Sequence, residues 1–125
     1  MNERAADLLD RARRALRTAE IICAEGDYDA AASRSYYAAF YVVSPLLALE
    51  GKAFKKHSAV EAALHRDFIL TGRFSETVGT DYSALRSFRD TGDYGGPEHV
   101  TAEQAAEAVE AARRILVVIN QSLPK

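Results

Sequence analysis

The chain has 125 residues, 48% of them hydrophobic and 27% charged, a size that fits one domain able to bury roughly two-thirds of its unfolded surface. A single cysteine, Cys23, excludes an internal disulfide and a thiolate zinc cluster, and it fits a reducing compartment. Sixteen Lys and Arg against eighteen Asp and Glu give a net charge of −2, so bulk attraction to a polyanion is excluded and only a local basic patch could serve one.

Five helical segments are expected, with no competing strand alternation. The first runs from about Glu3 to Glu25, because Leu8, Leu9, Ala12, Ala15, Leu16, Ala19, Ile22 and Cys23 recur at helical spacing on one face. Its charged start, from Asn2 to Arg14, is unlike a secretory signal. Gly26 is placed to end this helix and Asp27 to cap the next. That second helix extends to about Glu50. Fifteen of the twenty residues from Ala30 to Leu49 are apolar and cover every side, so it is either central or also faces a second subunit. Pro45 should bend it near Tyr41. The uncharged stretch from Ser35 to Leu49 is too short, at ~1.5 Å per residue, to cross a ~30 Å hydrocarbon layer. A cytoplasmic protein without a membrane partner is expected.

Ser58-x-x-Glu61 reads as a capping box opening a third helix to about Leu70, stopped by Gly72. A fourth helix, capped at Thr80 or earlier at Ser75, is expected to reach about Thr91, with Gly92 breaking it. The last helix opens with the box Thr101-x-x-Gln104 and carries apolar residues from Ala102 to Leu123 at unbroken spacing. Short connections between long helices favour an up-and-down all-α bundle, with residues 1–125 as one domain.

No phosphate loop, His-Glu-x-x-His or paired Glu-x-x-His motif is present. His57, His65 and Asp67 are too scattered to signal a metal, and no cofactor is implied. The informative stretch is Tyr82 to Pro97. Tyr82, Leu85 and Phe88 mark the inward side of the fourth helix, with Arg89 close to it and Arg86 nearer water. A guanidinium at an apolar edge needs a partner, for which Asp90 and Asp93 are the local carboxylates. If Gly92 breaks the helix, Tyr94 can return beside Arg89, and a planar cation next to a hydroxyl suits phosphate recognition. An Arg–Asp bridge that merely fixes the exit turn is the other reading of these residues.

Three segments carry a resemblance: Ser33-Arg34-Ser35-Tyr36-Tyr37-Ala38-Ala39-Phe40-Tyr41, then Lys56-His57-Ser58, then Leu85 through Gly95. Together they resemble the HEPN family, all-α bundles of about this length, and within it small stand-alone prokaryotic members. The resemblance implies a homodimer, formed through the second helix and the Arg89 region, that binds RNA or a nucleotide. It also implies a metal-independent endoribonuclease toxin paired with a nucleotidyltransferase antitoxin. The family motif is Arg, four to six residues, then His. The arginine maps onto Arg89, but Tyr94 stands at the histidine position. A tyrosine, with a pKa of about 10, is a poorer base than histidine near neutral pH. The resemblance thus makes Arg89, Asp93 and Tyr94 the candidate catalytic set, with Tyr94 also the candidate acceptor of an AMP group.

Lys52, Lys55, Lys56 and His57 form a compact basic loop that could hold an RNA backbone or simply be solvated. Arg34, on the apolar second helix, could join them or bridge to Asp90 or Asp93. Tyr36, Tyr37 and Tyr41 fit a core or subunit interface better than a base-stacking surface. His99 is expected to cap or solvate the final loop. The alternatives in function are a HEPN fold without catalysis and a protein-interaction module like a tetratricopeptide hairpin, although one hairpin cannot build a solenoid.

Overall fold

The computed structural model describes residues 2–52, 54 and 56–124. Among these, α1 (Glu3–Ala24), α2 (Tyr28–Leu49), α3 (His57–Leu64), α4 (Glu76–Tyr94) and α5 (Ala102–Ser122) make an all-α bundle without a strand. No helix among the described residues is long and apolar enough to cross a membrane.

Helix α2 is the axis of the fold, packing on α1, α4 and α5, with α3 packed on both α2 and α4. The reason is its composition. Ala31, Ala32, Tyr36, Ala38, Ala39, Val42, Val43, Leu46 and Leu47 are buried on several sides, as an all-round apolar helix must be. The many alanines let α1 approach closely, through Leu9, Ala12, Ala15 and Ala19. Ser44 donates its hydroxyl to the Phe40 carbonyl at 2.9 Å, and the helix continues through Pro45 to Leu49.

Gly26, at φ 91°, ends α1 as expected, and the Asp27 side chain accepts from the Ala30 amide at the start of α2. The Thr101–Gln104 capping box opens α5.

Two local expectations do not hold. Ser58 and Glu61 do not form a capping box: α3 begins at His57, and Glu61 accepts instead from the Ser83 hydroxyl and Arg86 of α4. A tertiary pair of donors has displaced the local one. After Leu64 the chain widens into a π turn, His65–Ile69, which the spacing of apolar residues does not reveal. Phe68 in that turn is fully buried and stacks on Phe74.

Gly92 also departs from expectation, since it does not break α4. The helix is capped by Ser75 and continues through Gly92 to Tyr94. Gly92 is there for proximity: a Cβ at that position would lie 2.8 Å from the Asp29 carbonyl oxygen of α2. The exit turn follows instead at Gly95 and Gly96, the latter at φ 61°.

Candidate functional site

The site lies where the last two turns of α4 meet the middle of α2 and the start of α3. Tyr82 and Leu85 are fully buried, and the same side of α4 carries Arg89 inward, its side chain 15% exposed. Arg86, on the neighbouring stripe, is 46% exposed. The inward face expected from spacing is therefore the observed one.

Arg89 rests among aromatic rings. Its guanidinium carbon is 5.0 Å from the Tyr36 ring centroid, 5.9 Å from that of Tyr37 and 5.5 Å from that of Tyr94, within cation–π range of all three. Arg89 Nη1 donates to Asp90 Oδ1 at 3.1 Å, and Arg89 Nε lies 3.4 Å from Asp93 Oδ2. The latter contact lacks hydrogen-bond geometry, leaving Nε covered and without a hydrogen-bond partner. Burial acts against the charge on Arg89, but the Tyr37 hydroxyl and the Asp90 carboxylate more than restore it, and its pKa is raised. The cation is permanent.

Around this group runs a chain of alternating charge. Glu61 holds Arg86 at 2.7 Å, Arg86 leans on Asp90 at 3.8 Å, and Asp90 holds Arg89. Asp93, one turn beyond Arg89, also accepts from the Ser33 hydroxyl of α2 at 3.3 Å. Tyr94 reaches Arg89 along an unbroken helix, by its length and by standing in the last turn, and it is 74% exposed. Arg89, Asp93 and Tyr94 are thus brought together, along with Ser33, Tyr36 and Tyr37.

His57 joins them from α3. Its ring is 4.3 Å from the Phe40 centroid and 5.7 Å from each of Tyr36 and Tyr37. Burial first, then the positive charge of Arg89, push its pKa below the ordinary histidine value. Of the rest of the expected basic loop, Lys52 is drawn elsewhere. Lys52 is bound to Asp67 at 2.6 Å, Lys56 is exposed, and Lys55 lies outside the described residues. Arg34 meets neither Asp90 nor Asp93. It lies 5.2 Å from the Tyr37 ring centroid, its buried Nε has no hydrogen-bond partner, and it borders a groove with Asp7, Asp10, Arg14 and Tyr41. No group of three His, Cys, Asp or Glu close enough to hold a metal ion occurs among the described residues.

Two clusters were invisible in the sequence. One is the Glu61–Arg86–Asp90 chain, whose members are up to 29 positions apart. The other is Asp29, which accepts from the Val100 amide at 2.7 Å and meets His99 at 2.6 Å, pinning the loop before α5 to the start of α2. His99 therefore belongs to that pin and not to the Arg89 site.

The family model described as "HEPN domain" matches residues 5–122. The chain belongs to the HEPN family. Among its HEPN-family relatives, a UPF0332 protein of Thermotoga maritima is 36% identical over 111 residues, 89% of this chain and 84% of that one. The protein of Methanocaldococcus jannaschii named "Putative toxin MJ0142" is 31% identical over 98 residues, 78% of this chain and 67% of that one. In structure, this HEPN chain is similar to TT1696 from Thermus thermophilus, with a TM-score of 0.81 and 25% identity over 98% of this chain and all of that one. The five-helix HEPN bundle is the fold expected from the sequence.

Proposed function

We propose that this HEPN protein binds RNA as a homodimer, with a phosphodiester engaged by Arg89 at the end of α4. The observation that carries the reading is a guanidinium held charged among three tyrosine rings, with its Asp93 contact at 3.4 Å too poorly aligned for a hydrogen bond. A phosphate oxygen competes well for such a donor, because charge-assisted guanidinium–phosphate bonds are among the strong ones. Tyr94, exposed beside it, offers a ring for a base to stack on and a hydroxyl for the phosphate. Tyr37, Phe40 and Tyr41 are only partly covered within one chain, which suits a second copy packed along α2 next to the Arg89 pocket. Toxin-like action in the cytoplasm, alongside a nucleotidyltransferase antitoxin, rests on the family and on the toxin-named relative.

Fluorescence anisotropy with a labelled, uncleavable 2′-O-methyl RNA tests the binding. The wild type should bind with affinity that falls as salt rises, and Arg89→Ala should weaken binding by about 10-fold or more. Equal affinity of the two proteins removes Arg89 from the site.

A second reading has one specific observation behind it. Asp90 and Asp93 neutralise Arg89, and its side chain is mostly covered. This favours a HEPN protein without catalysis that binds only a protein partner. A wild type that ignores RNA decides for it.

A further inference from the structure

The residue that replaces the family histidine along α4 is Tyr94, yet an imidazole still reaches this pocket from another helix. His57 begins α3, and its ring and Arg89 contact the same two tyrosines: the guanidinium carbon is 5.0 and 5.9 Å from the centroids of Tyr36 and Tyr37, and the imidazole is 5.7 Å from each. Phe40, at 4.3 Å, supports the imidazole from α2 and limits its tilt. We propose that His57 is the general base of a metal-independent RNA-cleaving centre at Arg89, supplied in space by α3 where the sequence motif lacks it.

Three observations carry this. The ring nitrogens of His57 make no hydrogen bond to a described residue, and neither is sealed from solvent without a partner. The charged groups around it also fit the role. Arg89 faces it from α4, and Tyr36 and Tyr37 face it from α2. On its own helix Glu61, one turn on, is already engaged by Ser83 and Arg86. Glu61 is thus committed to α4 and makes no ion pair with the imidazole. Burial and the Arg89 charge favour the neutral ring, which carries the lone pair a base requires.

The assignment rests on the Arg89 reading and adds a reaction to it. A ribose 2′-hydroxyl next to the bound phosphate gives its proton to His57 as its oxygen attacks phosphorus. The O2′–P bond forms and the P–O5′ bond breaks. The departing 5′-oxygen takes a proton from the Tyr94 hydroxyl, which regains one from the imidazolium through water. Arg89 stabilises the charge on the phosphorane. The products are a 2′,3′-cyclic phosphate and a 5′-hydroxyl, and no co-reactant is consumed.

The test uses 5′-labelled RNA and EDTA-treated full-length protein, with Arg89→Ala purified identically as the control for contaminating nuclease. Wild type should yield cyclic-phosphate ends, with a rate that rises with pH and has its midpoint below about pH 6.5, the ordinary histidine value. His57→Phe keeps the ring packing and should cut at least 100-fold more slowly. His57→Ala should regain cutting when free imidazole is added, which a structural role would not produce. His57→Phe cutting at the wild-type rate overturns the assignment. A wild type that binds 2′-O-methyl RNA yet leaves ordinary RNA intact overturns it too, and the binding reading then stands alone. Failure of the wild type to bind 2′-O-methyl RNA overturns both.

Discussion

Gly92 shows how much one side chain can be asked to give up. It sits in the last turns of α4, where glycine is a poor helix former by about 1 kcal/mol relative to alanine. Propensity alone would favour Gly92→Ala. Proximity decides otherwise, because the added Cβ would stand 2.8 Å from the Asp29 carbonyl oxygen and 3.3 Å from its Cα, both backbone atoms. The two helices must then separate. The substitution should destabilise the protein by about 1–3 kcal/mol, as overpacking usually does, and it should loosen Asp93 from Ser33. A urea midpoint equal to that of the wild type would show that α4 can shift without penalty. Arg89 illustrates the opposite case. Its place at the edge of the inward face follows from helical spacing, but its three aromatic neighbours come from α2 and from its own last turn.

At the scale of elements, the connections matter more than the helices. The loop before α5 contains Gly95, Gly96 and Pro97 and has few apolar residues to anchor it. Asp29 of α2 supplies the anchor by accepting from the Val100 amide and from His99. Those contacts hold its carboxyl below the usual aspartate range, the Val100 amide contributing most. A depressed carboxyl contributes stability that is fully present above its unfolded pKa, about 4, and is lost as pH falls through the lower folded value. Asp29→Ala should therefore be less stable than wild type by about 1 kcal/mol at pH 5, and the two urea midpoints should converge as the solution is acidified below about pH 4. A gap that stays constant down to about pH 2 would mean that the carboxylate charge contributes nothing. The π turn at His65–Ile69 belongs to this scale as well, since it carries Phe68 against Phe74 and leaves no mark in the spacing of residues.

For the whole molecule, α2 is both the centre of one chain and the expected contact between two. Its buried side explains the bundle, and its partly covered aromatics, Tyr37, Phe40 and Tyr41, lie beside the Arg89 pocket. A protein whose RNA site is completed by a second copy should have the mass of a dimer in light scattering. Tyr41→Glu, which places a charge in that face, should shift it to monomer while leaving its helical circular dichroism unchanged. A wild-type monomer at micromolar concentration would detach the site from any dimer.

Local sequence determined the helices, most of their ends and the inward side of α4. Those features depend on periodicity, caps and glycine chemistry within a few residues of each other, as with Asp27, Thr101 and Gly26. It also singled out Arg89, Asp93 and Tyr94 as neighbours, although by a break at Gly92 that the helix does not make. What surrounds them was decided only by tertiary packing. His57 and Arg89 are 32 positions apart, and Glu61 turned from its own helix end to Arg86. Gly92 lies within α4, pressed against the backbone of α2 at Asp29. Hydrogen bonds and packing between distant segments depend on where helices cross, and no spacing along a single helix encodes the crossing.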